Sequence, residues 1–255
     1  MALTVPEFTA IKKKGRKISM LTAYDFPTAH LVDEAGIDAI LVGDSLGMVV
    51  QGKQNTLPVT LEEMIYHTQI VRRAVRNALV IADLPFPGGH ESWPETLRNC
   101  AKIMKETDCH GIKMETSFQQ KEMIARLVDA GIPILAHIGL LPQKIQAFGK
   151  YSMQKMRDEL MRDALAVQEA GSFAVVLECV EPLIAKEISR ELEIPTIGIG
   201  SGRDCDGQIL VLQDILGLSP RTPKHAKRYA NLHEIILSAC QAYRKDVETE
   251  HFPEK

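Results

Sequence analysis

The sequence predicts an α/β fold, a (β/α)8 TIM barrel built as a single domain over residues 1–255. Short apolar runs rich in β-branched residues alternate with amphipathic helical stretches along the whole chain, the pattern of repeated β/α units. The runs are nearly continuous in apolar character, as parallel strands buried on both faces require. No Pro/Gly/Ser-rich linker, repeat or low-complexity segment breaks the 255 residues, a usual span for one closed barrel. An open doubly wound sheet is the other arrangement of such units, but no GxGxxG opens a helix here to favour it.

The elements follow in order. Residues 1–17 lack the apolar core of a secretory signal. Their basic run, Lys12-Lys13-Lys14-Gly15-Arg16-Lys17, reads as a solvated approach to the first strand, since nucleic-acid binders usually add aromatics or further basic clusters. Strands are expected at 18–22, 39–42, 79–82, 111–114, 133–136, 174–177 and 196–199, with an eighth at 208–212 whose residues could equally begin a helix. Thr60 with Glu63, Ser92 with Glu95 and Ser117 with Gln120 fit capping boxes at helix starts. After Thr60, the residues Met64, Ile65, Thr68, Val71 and Val75 share one helical face; after Ser117, Met123, Ile124, Leu127 and Val128 do the same. Residues 231–255 read as a C-terminal outer helix and tail, with Ile235, Ile236, Ala239, Cys240 and Tyr243 on one face, set against the barrel or against a neighbouring subunit.

Composition narrows the class. Hydrophobic residues make up 45% and charged residues 25%, which describes a soluble globular protein. A net charge of −3 gives no electrostatic reason to expect nucleic acid or an anionic membrane as partner, and no apolar stretch approaches a membrane span. The five cysteines are odd in number, scattered and without a CxxC pair, which argues for reduced thiols and a cytoplasmic location.

The chemistry is expected where the strands end, because every strand end of a barrel opens on one axial mouth. The first strand runs into Tyr24-Asp25, the second into Gly43-Asp44-Ser45 and the third into Asp83. The fourth ends Lys113-Met114-Glu115, the fifth at His137, the sixth at Glu178 and the seventh at Gly198-Ile199-Gly200-Ser201-Gly202. Asp44, Asp83 and Glu115 are hard oxygen donors without a His/Cys set, which suits Mg2+. Left without a cation, such a cluster repels itself and its pKa values rise. Taken singly, an Asp after a strand often caps the next helix and a Lys is usually solvated; the joint placement is what points to a site. The glycines around Asp44 and in 198–202 serve either as turn residues or to let backbone amides approach an anion. His30, His67, His90, His110, His225 and His233 follow no ligand spacing, Trp93 reads as packing, and Cys179 has no evident histidine to activate it.

These segments resemble the ketopantoate hydroxymethyltransferase family. The likeness is carried by Leu21-Thr22-Ala23-Tyr24-Asp25, Leu41-Val42-Gly43-Asp44-Ser45-Leu46-Gly47-Met48, Thr56-Leu57-Pro58-Val59-Thr60 and Ala82-Asp83-Leu84-Pro85-Phe86. It continues in His137-Ile138-Gly139-Leu140 with Pro142-Gln143, Leu177-Glu178-Cys179-Val180, Ile197-Gly198-Ile199-Gly200, Asp206-Gly207-Gln208 and Lys227-Arg228-Tyr229. The resemblance implies a barrel of the phosphoenolpyruvate/pyruvate-like superfamily, Mg2+, and a homo-oligomer, commonly a decamer. It implies transfer of a hydroxymethyl group from 5,10-methylenetetrahydrofolate to 3-methyl-2-oxobutanoate, giving 2-dehydropantoate for pantothenate. It further implies Asp44 and Asp83 as metal ligands, with Glu115 in or just outside that shell. Ser45 and Lys113 would hold the oxo acid together with Asp44 and Asp83, His137 would line the pocket, and Glu178 would abstract the proton.

Three stretches near the mouth depart from the family pattern: Pro87-Gly88-Gly89-His90, Thr116-Ser117 after Glu115, and residues 146–157. Two rival readings stand beside the resemblance. One is a Mg2+-dependent 2-oxo-acid lyase or decarboxylase of the same superfamily, although no Lys-Lys-Cys-Gly segment supports it. The other is a catalytically silent barrel, which would have lost the ionisable strand ends that this chain keeps.

Overall fold

Eight parallel strands hydrogen-bond in chain order and close on themselves as a barrel. The computed structural model describes residues 3–150, 152–219 and 223–253; Met1, Tyr151 and the last two residues of the 231–255 stretch lie outside the described residues. The helix α1 (Val5–Lys13) precedes β1 (Ile18–Thr22), and α2 (Phe26–Glu34) leads to β2 (Ala39–Val42). Then α3 (Leu46–Val49) and α4 (Leu61–Ala74) lead to β3 (Leu79–Asp83), α5 (Trp93–Thr107) to β4 (Gly111–Glu115), and α6 (Lys121–Asp129) to β5 (Ile134–Gly139). Next come α7 (Ile145–Phe148) and α8 (Arg157–Glu169) before β6 (Ala174–Glu178), α9 (Pro182–Glu191) before β7 (Thr196–Ile199), and β8 (Gly207–Leu210).

By packing, the chain divides into Met1–Ile209, which holds β1 to β7 and all but the last residue of β8, and Leu210–Lys255. The second unit contains α10 (Leu212–Ile215) and α11 (Leu232–Glu248). Within it the Tyr229 N–H donates to Ile215 O and the Leu232 N–H to Leu216 O. The expected C-terminal helix thus forms as α11, and it has no buried residue.

The helix starts follow local chemistry. At α4 the Thr60 hydroxyl accepts from the Glu63 N–H while the Glu63 carboxylate accepts from the Thr60 N–H, and Met64, Ile65, Thr68 and Val71 are buried. Glu95 and Gln120 reach back to the N–H groups of Ser92 and Ser117 in the same way. The expected eighth strand is shorter than its window: it ends at Leu210, and the helical alternative is realised just beyond, from Leu212.

Strands β3 to β6 run one to three residues past their expected ends. Ladder pairing persists there, joining Asp83 to Lys113, Glu115 to His137, and Gly139 to Glu178. In-register partners on parallel strands share a face, and side chains alternate with period two. That parity sets Asp83, Lys113, Glu115, His137 and Glu178 on one face, the face of Leu135 and Val176. Leu135 and Val176 belong to the buried cluster of Ile18, Met20, Leu41, Leu79, Ile81 and Ile197, so this face is the barrel interior. The interior is therefore apolar below and ionisable at the C-terminal rim.

The opposite end is closed by α1. Phe8 and Ile11 join the interior cluster, and Phe8 meets Phe173 edge-on with ring centroids 5.8 Å apart. Lys12 Nζ donates to Ser189 O and Ile194 O and pairs with Asp206 at 2.9 Å, all near the strand starts.

Candidate active site

A buried ion pair lies at the centre of the rim. Lys113 Nζ donates to both oxygens of Asp83, at 2.7 and 2.8 Å, and the Asp44 N–H donates to Asp83 Oδ2 at 3.2 Å. Space before Asp44 is tight: a β-carbon on Gly43 would lie 2.8 Å from Ser45 Oγ, so that hydroxyl would have to move. Ser45 is in turn tied to the buried Tyr24 hydroxyl at 2.8 Å. Glu115 accepts the Gln143 N–H on both oxygens at 3.1 and 3.2 Å, and Gln143 Nε2 donates to Asp44 Oδ2 at 2.9 Å.

Charge in this cluster is unbalanced, with three carboxylates to one ammonium, all buried. Burial first, and then the Asp83 charge, pushes Asp44 up to about 7, although Lys113 and Gln143 oppose the rise. Thr56, whose buried hydroxyl closes no hydrogen bond of good geometry among the described residues, lies close enough to oppose it too. Burial likewise raises Glu115 well above the usual carboxylate range against the pull of Lys113. Burial alone would lower the Lys113 ammonium, but Asp83, Asp44 and Glu115 hold it above its ordinary value, so it stays charged.

On the neighbouring strands, His137 Nε2 lies 3.3 Å from Glu178 Oε2, off-line for a hydrogen bond. Burial and the Lys113 charge lower the His137 pKa, leaving a neutral ring that can donate from one nitrogen and accept at the other. The Glu178 side chain keeps 15% of its surface accessible against 2% for Asp83, so of these two carboxylates it is the one open to an incoming molecule.

The donor set fits a cation. Burial, and then the Asp83 charge, raises Asp44, and a divalent ion would neutralise that uncompensated negative charge. Among the described residues no group of three or more His, Cys, Asp and Glu is arranged to hold a metal by itself. Mg2+ needs only one or two carboxylates and keeps water or ligand in its other positions, and Asp44 and Asp83, whose N–H and carboxylate meet, are such a pair.

Asp44, Ser45, Asp83, Lys113, Glu115, His137 and Glu178 all lie at the rim as expected, whereas Asp25 does not join them. Its carboxylate caps α2 by accepting from the Thr28 N–H at 2.9 Å. Of the 198–202 glycines, Gly200 and Gly202 serve turn geometry, with φ of +68 and +84, while Gly198 lies within β7 against Cys205. Between them, Ser201 Oγ donates to Leu177 O and accepts from the Val180 N–H, bracketing Glu178. Cys179 carries no reactive thiolate: burial and the Glu178 charge push its thiol up to about 11. Sequence reasoning quoted Gln143 and Thr56 within the family segments but did not place them in the site. For Gln143 the available signal was Pro142, which starts a helical turn and leaves the next N–H without an intrahelical acceptor.

The family model described as ketopantoate hydroxymethyltransferase matches residues 2–255. The chain belongs to the ketopantoate hydroxymethyltransferase family. It is an enzyme, a hydroxymethyltransferase. It is 47% identical to the 3-methyl-2-oxobutanoate hydroxymethyltransferase of Rhodopirellula baltica over 98% of this chain and 94% of that one. It is 48% identical to the enzyme of the same name from Acetivibrio thermocellus, over 98% of this chain and 90% of the relative. Solved structures share the barrel at low identity. A phosphoenolpyruvate phosphomutase from Streptomyces platensis aligns with TM-score 0.65 at 16% identity, covering 97% of this chain and 88% of that one. A 2,3-dimethylmalate lyase of the PEP mutase/isocitrate lyase superfamily aligns with TM-score 0.61 at 14% identity, covering 100% and 91%. No helix among the described residues is long and apolar enough to cross a membrane.

Proposed function

We propose that this hydroxymethyltransferase converts 3-methyl-2-oxobutanoate to 2-dehydropantoate, taking the one-carbon unit from 5,10-methylenetetrahydrofolate with Mg2+ as cofactor. The relatives' shared name supports the substrate. The observation that carries the chemistry is an accessible carboxylate, Glu178, on the same inner face as the buried Asp83–Lys113 pair. Asp44 and Asp83 would hold Mg2+, with Glu115 behind them, and the bound ion would supply Lewis-acid polarisation of the oxo acid's carbonyl.

The chain's own groups do the rest. Ser45 and Lys113 hold the oxo acid, and His137, neutral and buried, lines the pocket without adding charge. Glu178 takes the C3 proton, and the electron pair left behind delocalises toward the carbonyl oxygen, where the Lys113 ammonium offsets the developing charge. Water adds to the donor's methylene carbon and its two C–N bonds break, releasing tetrahydrofolate and formaldehyde; the carbon nucleophile forms a C–C bond to the formaldehyde carbon, whose oxygen takes the proton held by Glu178 and becomes the hydroxyl.

The test is to incubate 3-methyl-2-oxobutanoate with enzyme and Mg2+ in deuterated water and follow the C3 proton by NMR. Exchange is expected without folate, and 2-dehydropantoate on adding 5,10-methylenetetrahydrofolate. Absence of exchange together with consumption of oxaloacetate would favour the lyase reading instead. We also read the chain as a cytoplasmic homo-oligomer, a decamer by family resemblance. Exposed Ile235, Ile236, Tyr243 and Val247 on α11 support assembly. Light scattering of the purified protein checks this, and a monomeric mass would refute it.

A further inference from the structure

One side chain outside the expected site joins most of its parts. Gln143 is buried in the 3-10 turn after β5, yet its Nε2 donates to Asp44 Oδ2 at 2.9 Å and to Leu84 O at 3.0 Å. Its main-chain N–H donates to both Glu115 oxygens. A single residue thus fastens the ends of β2, β3 and β4 to the loop after β5. The orientation of its amide is fixed by chemistry, because a carboxylate and a carbonyl both accept and only the NH2 end can serve both. We propose that Gln143 is a positioning residue, holding the Asp44 carboxylate in the orientation that binds the divalent cation and seating Glu115 behind it. This rests on the Mg2+ reading above. Partners that orient metal-binding groups typically change metal affinity by about ten- to a hundredfold when removed.

The test uses Mn2+ as an EPR-visible probe, titrated into the full chain without substrate. Gln143→Met keeps the length and the main-chain bond to Glu115 but removes the amide. Gln143→Asn keeps the amide but withdraws it by one methylene, and it carries the test should the Met variant fail to fold. Ser189→Ala is the stability control; that hydroxyl bonds Ala185 O at 2.7 Å and Thr196 at 2.6 Å, beside the start of β7. The expected result is Mn2+ binding weakened at least about tenfold in a folded Gln143 variant, with a raised KM for the oxo acid in C3 exchange. Ser189→Ala should lose thermal stability and keep its Mn2+ affinity. Parent-like Mn2+ affinity in the folded Gln143 variants, or an equal loss in Ser189→Ala, overturns the positioning role alone. A parent chain that binds no Mn2+ overturns the metal reading and this inference with it.

Discussion

Glu178 and Asp83 are both carboxylates at strand ends, and their surroundings give them different work. Glu178 is partly open and paired off-line with a neutral imidazole, whereas Asp83 is sealed against an ammonium. Glu178→Gln keeps the shape and removes the proposed base, so C3 exchange should slow by about 10²–10⁴-fold while oxo-acid binding persists. NMR exchange rates and a calorimetric titration check the two halves, and exchange at the parent rate would show that the base lies elsewhere. Asp83→Ala should act differently, because it strands a buried ammonium. Removing one partner of such a pair costs about 3–5 kcal/mol, so stability and Mg2+ binding should fall together. Urea unfolding and Mg2+ titration of the variant check this; a variant keeping both would refute it. At this scale the strand-end residues were legible because their types are rare in parallel strands and recur at or just after the C-terminal ends of β2 to β6. Gln143 was not, because its side chain meets Asp44 and Leu84 across 99 and 59 residues, a pairing that no local pattern encodes.

Elements place these side chains through a few constrained backbone positions. Gly139 ends β5 at φ +97, and a β-carbon there would lie 2.5 Å from the carbonyl oxygen of Glu178. Gly139→Ala must therefore shift β6 at Glu178, the proposed base, and it should cost more than about 1 kcal/mol of stability. It should also lower kcat for exchange more than it raises KM; unchanged kcat in a folded variant would refute the coupling. Asp33, at the end of α2, anchors the approach to β3 by accepting the N–H groups of Arg76, Asn77 and Ala78. Burial pushes its carboxyl up, but these donors outweigh it and hold the pKa below its usual 3.8. A depressed folded-state pKa stabilises above the unfolded value and loses that effect as pH falls through the folded one. Asp33→Asn should accordingly be less stable than the parent at pH 7, with the gap closing as the pH drops below about 4. Urea unfolding at both pH values checks this, and a constant gap would refute it. Helix starts such as Thr60–Glu63 could be read because capping is local, spanning three residues. Strand ends could not be set to the residue, since pairing across the barrel extends them past the apolar run.

The barrel separates a charged rim from an apolar floor, and that division made the fold class readable. Apolar strand residues and ionisable strand ends are both one-dimensional signals, and closure of the barrel turns them into two layers. The floor is finished by α1, whose role the sequence did not announce: Thr4 caps it, Glu7 completes the box, and the following Phe8 and Ile11 are buried. Phe8 is fully buried against Phe173 and the interior cluster. Replacing it with Ala deletes the ring and leaves a cavity at the strand starts, a change that typically costs about 3–5 kcal/mol. For a chain of this size that corresponds to a Tm lower by on the order of 10 °C, read by calorimetry. The rim residues sit at the other end of the strands, so KM and kcat of Phe8→Ala measured well below its Tm should match the parent. Equal loss of kcat at low temperature would mean that floor and rim are mechanically coupled, and that layers separated along the barrel axis do not act independently.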